Sequence, residues 1–577
     1  MARSRILLVA LLAGAPAMTR AAPVVGAHGM VASAHPLASE AGAEILRAGG
    51  NAADAAVATA FVLAVVEPYS SGLGGGGLAL LRIDGKLTFL DFREVAPQKA
   101  TSDMFIVHGE VKTKAARRGP LAVAVPGAVK GYLEIHDRFG KLPLDKVLEP
   151  AIHLAEQGFP VYDRLRWYIK KRLSTLSSDP ETARVFLTRN AQGEIEPPGH
   201  GHLLVQADLA GTLRAIAKDG ASTFYAGEVA QKLAADMRER HGVLSLEDLQ
   251  AFKVRERPPL IGSFFGHAVV TAPPPSAGGA ALLTILNLLE TAPTSARFRD
   301  PELVHLYIEA SKRAFADRAL VGDPAFVPDV TPRLIAKDRA RMLAKMIATE
   351  GHATPAASIQ PGEGAFLPTE VPTAAPLKEG HHTSHLCVVD RYGNAVSLTT
   401  TINTSWGAGI VARGTGVLWN DEMDDFAVAP GVSNAFGVVG ATVNLVQPGK
   451  IPVTSMAPTL VFEGPAPNSA LRLVVGAPAG PKIPTTIAQI ISNHLQFGAN
   501  IFAAIAMGRV HNQHLPDRTY VEPYTLDPLT RDWLTARGHT LKQISPWSDA
   551  TAIAINPTTN LRTAAADTRG VGNAVAE

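Results

Sequence analysis

Cysteine is almost absent from this sequence, with one residue, Cys387, among 577. A single cysteine excludes an intrachain disulfide, whatever the compartment. Cys387 could act as a nucleophile, but it lies in an alternating strand pattern, which favours a small buried hydrophobic side chain. At this length the chain can bury a large core, in one big domain or in several.

An excess of charge of either sign is also missing, because the formal net charge is +2. A nearly neutral chain gives no electrostatic reason to expect nucleic acid or an anionic membrane surface as a partner. The hydrophobic content is 46%, and the 51 glycines and 42 prolines indicate a globular protein with many turns.

Long apolar runs are scarce. Ile6 to Ala13 is apolar and follows Arg3 and Arg5, and Thr19-Arg20-Ala21 offers small residues for a signal peptidase. We therefore expect residues 1–21 to be a signal peptide and the protein to be periplasmic or secreted, with an uncleaved anchor as the alternative. The run is too short for a stable membrane span. Ala52 to Val66 is short and contains Asp54, which favours a buried core helix.

Helical and strand patterns mix along the whole chain, which indicates a layered α/β architecture. Asn51 and Ser245 are typical helix N-caps, and Asp84-Gly85 is a typical hairpin turn. Ala348 to His382 is rich in Pro, Gly, Ala and Thr and predicts an exposed, mobile linker. A hairpin follows directly, with strands predicted from Ser384 to Asp390 and from Ala395 to Ile402.

Two apparent motifs do not fit the chemistry that they suggest. Gly72 to Gly77 matches a dinucleotide-binding pattern, but it follows a helix and precedes a strand, so it is interpreted as a close-packing turn. His381, His382 and His385 invite a zinc hypothesis, but two of them lie in the predicted linker and no nearby Cys, Asp or Glu completes a ligand set. His511 and His514 are interpreted as structural.

Thr383 begins the hairpin where the linker ends, and it lies among other threonines and serines. The composition alone is typical of a strand, and an ordinary linker explains the layout equally well. The second hypothesis is that the chain is cut before Thr383. The new α-amine, with an ordinary pKa of ~8, could then accept the proton of the Thr383 hydroxyl.

Several segments, in this order, resemble the γ-glutamyltranspeptidase family of N-terminal-nucleophile hydrolases, and the resemblance extends over essentially the whole chain after residue 21. They are "GGNAADAAVATAFVLAVVEPYSSGLGGGG", "DFREVAP", "HLYIEASKRAFADRALVGDP", "TSHLCVVDRYGNAVSLTTTINTSWGAGIV", "NDEMDDF", "VTSMAPTLV", "GAPAG" and "HNQHLPD". The resemblance implies a four-layer αββα sandwich. It also implies self-cleavage into a large subunit, residues 22–382, and a small subunit, residues 383–577, which form one interwoven heterodimer.

The resemblance also implies roles for individual residues. The catalytic group comprises the nucleophile Thr383, the supporting Thr401, and the oxyanion-hole amides of Ala479 and Gly480. The substrate α-carboxylate would be held by Arg93, Thr454 and Ser455. The α-amino group would be held by Asn403, Glu422 and Asp425.

The implied reaction is acyl transfer from glutathione or another γ-glutamyl amide to water, an amino acid or a peptide. It needs no metal or organic cofactor, and the implied partners are small-molecule substrates. A glutaryl or cephalosporin acylase of the same family and a binding protein that is not processed are the alternatives.

The chain departs from the family at a few of the matched positions. Ser384 replaces a frequent threonine, Ala479 a glycine and Thr454 a serine, and Glu422 stands where some relatives have glutamine. Phe436 takes the place of a common tyrosine in the lid, Pro430 to Lys450.

Overall fold

Two antiparallel seven-stranded sheets are stacked at the centre of the computed structural model, which describes residues 23–364 and 382–577. Residues 1–21, the predicted signal peptide, and residues 365–381, about half of the predicted linker, lie outside the described residues. Within the described ranges, no helix is both long and apolar enough to cross a bilayer.

One sheet contains the strand Ser384–Val389, which begins at the residue after Thr383, and it is called the Thr383 sheet. Its strands, in spatial order, are Arg255–Arg257, Lys86–Phe92, Gly76–Ile83, Ala395–Thr401, Ser384–Val389, Met30–Ser33 and Asn573–Ala576. The other, the covering sheet, has the order Val24–Gly26, Arg562–Ala566, Thr551–Ile555, Leu471–Gly476, Thr459–Phe462, His267–Thr271 and Leu260–Phe264. Both sheets therefore mix strands from before and after the His382–Thr383 bond.

Helices cover the outer face of each sheet and complete the four-layer αββα sandwich expected from the sequence. Against the Thr383 sheet pack Pro36–Arg47, Ala52–Val66 and Ala128–Phe139, while Leu144–Gln157 packs on Ala52–Val66 and Ala207–Asp219 packs on Leu144–Gln157. Against the covering sheet pack Ala277–Leu289, Lys482–Ile491 and Ile501–Ala506, while Pro301–Ala316 packs on Ala277–Leu289. Further helices are Asp163–Lys171, Pro180–Phe186, Ala221–Tyr225, Glu228–Glu239, Leu246–Ala251, Lys337–Glu350 and Pro528–Ala536.

The helix Ala52–Val66 begins with the predicted cap. The Asn51 side chain accepts the N–H of Ala53 at 2.9 Å, and Asp54 accepts the N–H of Asn51 at 3.0 Å. All fifteen residues of this helix are buried, which explains why its sequence has no polar face. The apolar run is a core helix, as predicted.

The predicted hairpin is present, with Ser384 opposite Thr400 and Val389 opposite Ala395. Its turn is held by Asp390, whose carboxylate accepts the N–H groups of Tyr392 and Asn394. Cys387 lies inside the hairpin and is buried, and burial raises the pKa of its thiol to about 12. It is the small hydrophobic side chain that the sequence pattern predicts.

The glycine cluster lets backbones approach closely. A methyl group on Gly75 would lie 2.0 Å from the carbonyl oxygen of Thr401, and one on Gly76 would lie 2.5 Å from Glu94 Oε2. The cluster is therefore a close-packing turn beside Thr401, as predicted, and not a phosphate-binding loop.

The predicted linker begins too early. Residues 348–350 continue the helix Lys337–Glu350, which ends at Gly351 in the left-handed conformation, φ 64°. Thr354 is buried, and Ile359 is fully so. The Pro- and Ala-rich composition is typical of a linker, so it did not indicate the helix end or the packed residues that follow it.

Candidate active site

A cleft of about 340 Å³ lies between Thr383 and the loop that follows the strand Leu471–Gly476 of the covering sheet. Nine of the ten residues predicted for the site line this cleft, and the tenth, Ala479, is buried next to Gly480. The cleft also contains residues that the sequence analysis did not assign: Arg318, Asn434, Val438, Met456, Pro481 and Ile483.

At one end of the cleft, the peptide bond between His382 and Thr383 is surrounded by hydroxyl groups. The Thr383 hydroxyl donates to the His382 carbonyl at 2.7 Å, and the Thr401 hydroxyl donates to the same oxygen at 3.0 Å. The two hydroxyl oxygens are 3.3 Å apart. The arrangement places the Thr383 hydroxyl beside a carbonyl that a second hydroxyl polarises.

Asn403 completes this arrangement. Its backbone N–H donates to Thr401 Oγ1 at 2.9 Å, which favours donation by the Thr401 hydroxyl. Asn403 has φ 75°, a conformation that asparagine tolerates better than most residues, and its side chain donates to the carbonyl of Asp421. The backbone and the side-chain amide of Asn403 are therefore both bonded within the chain and help to shape the site.

At the other end, Arg93 is fully buried among three carboxylates. Its guanidinium lies 2.5 Å from Glu422, 3.2 Å from Asp425 and 3.3 Å from Glu94. Two of its nitrogens, Nε and Nη1, and the Glu422 oxygen Oε2 have no hydrogen-bond partner among the described residues. The cluster therefore contains guanidinium N–H groups and a carboxylate oxygen that make no hydrogen bond within the described residues.

Burial governs the charges of this cluster. Burial raises the pKa of Glu422 well above its ordinary value, and Arg93 opposes that shift. Burial likewise raises the pKa of Glu94 to about 7. For Arg93, burial disfavours the charge, but the neighbouring carboxylates outweigh it and raise its pKa. An incoming ammonium group would favour the ionised forms of these carboxyl groups, because a nearby positive charge lowers a carboxyl pKa.

Thr454 and Ser455 are positioned by Arg318, which the sequence analysis did not single out. Arg318 donates to the Thr454 carbonyl at 2.9 Å and to the Ser455 hydroxyl at 2.8 Å. Burial lowers the pKa of Arg318 to about 10. Arg318 lies in the segment "HLYIEASKRAFADRALVGDP", which resembles the family. That resemblance could have indicated a role for Arg318, whereas its neighbouring residues alone could not.

Ala479 and Gly480 form a turn with φ values of 99° and 53°. Positive φ is unfavourable for alanine, so the turn carries strain at Ala479. The carbonyls of both residues accept N–H groups of the following helix. Their own N–H groups donate to no other part of the described chain and can serve a ligand.

The Phe436 segment covers this turn. A methyl group on Gly480 would lie 2.8 Å from the Phe436 ring, and the Phe436 carbonyl accepts Gln513 Nε2 at 3.3 Å. Asp424 holds the same segment by accepting the N–H of Ala435 at 2.8 Å. The contacts of Phe436 are therefore made by its ring and backbone, without a hydroxyl.

Of the histidines considered in the sequence analysis, His381 lies outside the described residues, and three others have structural contacts. His385 is buried and lies 2.8 Å from Thr399 Oγ1, His511 lies 2.9 Å from Thr485 Oγ1, and His514 lies 2.8 Å from the Ala356 carbonyl.

His305, Glu309 and His539 form a separate cluster that could offer metal ligands. The Glu309 carboxylate is already paired with Arg313 at 2.7 Å and with Lys312 at 3.3 Å, and the two histidines are bonded to each other. The carboxylate is thus neutralised by cations rather than prepared for one.

Comparison with known proteins gives consistent matches. The sequence model of the family described as Gamma-glutamyltranspeptidase matches residues 38–577. The glutathione hydrolase proenzyme of Escherichia coli (strain K12) is 39% identical over 558 residues, which cover 96% of this chain and 92% of that protein.

Solved structures agree with these sequence matches. The cephalosporin acylase of Bacillus halodurans is 26% identical and aligns with a TM-score of 0.81 over 99% of both chains. The γ-glutamyltranspeptidase of Helicobacter pylori is 37% identical, with a TM-score of 0.56 over 59% of this chain and 97% of that chain.

Proposed function

This chain belongs to the γ-glutamyltranspeptidase family, and from that premise we propose how its residues perform the family's chemistry. The protein is an enzyme that hydrolyses or transfers γ-glutamyl groups and is made as a proenzyme. The observation that carries the proposal is the contact of the Thr383 hydroxyl with the His382 carbonyl, at the end of a cleft that leads to Arg93.

Maturation is the first proposed step. Thr383 Oγ1 attacks the His382 carbonyl carbon, and the resulting oxyanion is stabilised by the Thr401 hydroxyl, now 3.0 Å from that oxygen. The C–N bond breaks, the nitrogen takes up the hydroxyl proton, and His382 is left as an ester on Thr383. Water hydrolyses the ester, which leaves a carboxylate on His382 and a free amine and hydroxyl on Thr383.

Substrate recognition is assigned to the charged end of the cleft. A γ-glutamyl group ends in one α-carboxylate and one α-ammonium. Two Arg93 nitrogens make no hydrogen bond within the described residues and suit the carboxylate, with Thr454 and Ser455 beside it. Glu422 and Asp425 suit the ammonium. Asn403 is proposed to join them at the ammonium. Fixing both charges places the γ-carbonyl at Thr383.

Turnover repeats the chemistry of maturation on the substrate. The Thr383 hydroxyl attacks the γ-carbonyl while the new α-amine accepts its proton. The amides of Ala479 and Gly480 stabilise the oxyanion, each contributing ~3 kcal/mol. The proton passes to the leaving amine, and water or an acceptor amine then releases the γ-glutamyl group from the ester.

The subunits and the location follow from the same premise. We propose that residues 22–382 and 383–577 remain together as a heterodimer after the cut, since each sheet contains strands from both pieces paired with one another. We also propose export, with removal of residues 1–21 and a periplasmic or secreted product. The basic and apolar pattern of the first residues supports this location.

A glutaryl or cephalosporin acylase is the second candidate, because an acylase structure aligns over nearly the whole chain. A glutaryl group has no ammonium. Three buried carboxylates around one arginine favour a substrate that brings a positive charge.

Hydrolysis of γ-glutamyl-p-nitroanilide and glutaryl-p-nitroanilide separates the two candidates. We expect kcat/KM to favour the γ-glutamyl substrate by about 100-fold, since charge-assisted bonds contribute ~1.5–3 kcal/mol each. Asp425→Asn should lose most of that preference, whereas Asp338→Asn, at an aspartate whose side chain is 90% exposed, should keep it. Equal rates on both substrates in the wild type would contradict the proposal.

A further inference from the structure

Glu67 is a fully buried carboxylate directly beneath the strand that starts after Thr383. It follows the helix Ala52–Val66, and both of its oxygens accept hydroxyl groups. Tyr69 donates to Oε1 at 2.8 Å, and Ser384 donates to Oε2 at 2.8 Å. The mechanism described so far does not use this carboxylate.

The turn that contains Glu67 contacts the chain next to both threonines of the site. Ser384, which Glu67 holds, follows Thr383, and Ser71 lies 3.2 Å from the same Ser384 hydroxyl. The N–H of Ile402, the residue after Thr401, donates to the Ser70 carbonyl at 3.2 Å. One turn, residues 67–71, therefore fixes the neighbours of the nucleophile and of its supporting hydroxyl.

Cleavage changes what holds Thr383 in place. In the uncut chain the peptide bond to His382 fixes it from one side, and that bond is lost on maturation. A new chain end frays unless it is tied down by other contacts. The Ser384 hydroxyl is one residue from this end, and its bond to Glu67 survives the cut.

We infer that Glu67 is a positioning residue for the nucleophile: through Ser384 it anchors the new N-terminus of the small subunit, and its negative charge makes the Thr383 amine a stronger base. The inference rests on the proposed function of Thr383. The ligand of the site is the same γ-glutamyl substrate, and Glu67 does not touch it.

The surroundings of Glu67 raise the pH at which its carboxyl group ionises. Burial raises the pKa of Glu67 to about 7, and the bonds from Tyr69 and Ser384 and the charge of Arg164 oppose that shift. The titratable and charged groups around it, on the elements packed against it, are Tyr69, Tyr162, Tyr168, Arg164, Asp549 and the His382 ring beside Tyr168.

Glu67 becomes charged above about pH 7. It is bonded to Ser384, the residue next to the Thr383 amine, whose ordinary pKa is ~8. The negative charge stabilises the ammonium form and raises the pKa of the amine. Replacing Glu67 by a neutral side chain should therefore lower the pKa of the Thr383 amine, so that the amine is neutral at lower pH. The acid limb of kcat/KM, which reports the free enzyme, should move with it.

The test is the pH profile of kcat/KM from pH 6 to 10 for the matured enzyme with γ-glutamyl-p-nitroanilide. For Glu67→Gln we expect the acid limb to move down by about one pH unit, the size of effect that one charge exerts one residue away. Glu110→Gln, at an exposed glutamate, should leave the limb in place. An unmoved limb in Glu67→Gln overturns the inference.

Two further variants separate the anchor from the charge. Ser384→Ala removes the anchoring bond and keeps the carboxyl group, so kcat should fall several-fold, whereas the acid limb should move down less than in Glu67→Gln because only one bond that favours the ionised form is lost. Ser384→Thr keeps a hydroxyl and should restore both. Tyr69→Phe keeps the carboxylate but removes a bond that favours its ionised form. It should move the limb in the same direction as Glu67→Gln but less, and it remains informative if Glu67→Gln does not mature.

The proposed function and this inference fail in different ways. If the wild type remains a single uncut chain, the function proposed for Thr383 is wrong and the role of Glu67 falls with it. If the wild type is cut before Thr383 and is active, but none of these variants changes the acid limb or kcat, only the inference about Glu67 is wrong.

Discussion

The two ends of the cleft are built from different chemistry. Around Thr383 the cleft offers hydroxyl and backbone groups, whereas around Arg93 it offers one guanidinium and three carboxylates. The charged end is already assembled in the uncut chain. In the proposed mechanism, the Thr383 end gains a base only when the chain is cut, because before the cut its amine is part of a peptide bond. The proposal thus assigns recognition to folding and reactivity to a later covalent step.

Removing the nucleophile should have the largest effect and should leave the charged end intact. We expect Thr383→Ala to remain one chain and to lose at least about 10³-fold in kcat, since an essential nucleophile is lost. The measurements are a denaturing gel and the rate with γ-glutamyl-p-nitroanilide. Thr558→Ala, at an exposed threonine, is the matched control and should mature and act normally.

Changing Arg93 should weaken substrate recognition at the charged end and leave cleavage at the Thr383 end intact. Arg93→Lys keeps the positive charge but loses the planar donors, so the chain should still be cut while kcat/KM falls at least about 30-fold. Arg47→Lys, at a half-exposed arginine, should have no effect. A variant that fails to mature while Arg47→Lys matures would show that the charged end also controls the cut.

The charged end should also give the protein a characteristic pH dependence of stability. The pKa of Glu94 is raised from 4.5 to about 7 in the folded protein. Between these values the folded state binds more protons than the unfolded state, so the free energy of unfolding falls as pH rises from about 4.5 to 7. This contribution is complete below pH 4.5 and lost above pH 7.

Glu94→Gln removes that titration. We expect Tm to decline less steeply between pH 4.5 and 7 in this variant than in the wild type. Glu110→Gln, at an exposed glutamate, should reproduce the wild-type slope. A Glu94→Gln curve parallel to the wild-type curve would show that Glu94 does not titrate in this range.

The smallest effect is expected at the strained turn beside the Thr383 end. Ala479 has φ 99°, so Ala479→Gly should relieve roughly 1 kcal/mol of strain and raise Tm by about 1 °C. The amide that faces the oxyanion remains, so kcat should change little. Ala488→Gly, in the helix Lys482–Ile491, is the control with the opposite sign, because glycine weakens a helix. A fall in Tm for Ala479→Gly would contradict the inference that the backbone is strained at Ala479.

The sequence predicts best where the determining contacts are local. Asn51 and Ser245 cap their helices because each side chain reaches an N–H two or three residues away. The hairpin around Cys387 follows from its alternation and its turn residues. The boundary at Ala348 was wrong because Ala and Thr suit the last turn of a helix as well as a linker.

Long-range contacts were predicted only where whole segments resembled a family. That resemblance brought the ten proposed site residues together, nine of them lining one cleft. Glu67 escaped notice because its partner Ser384 is 317 residues away and nothing local in "VVEPYSS" marks a buried carboxylate. Glu94 and Arg318 were missed for the same reason, since their burial depends on elements far along the chain.

The central claim is that Thr383 becomes a chain end beside its own hydroxyl. N-terminal sequencing and intact mass of the smaller fragment of the purified enzyme test it most directly. The account predicts a fragment of residues 383–577 that begins Thr-Ser-His. An active protein that remains one chain, or a fragment that begins at any other residue, would contradict it.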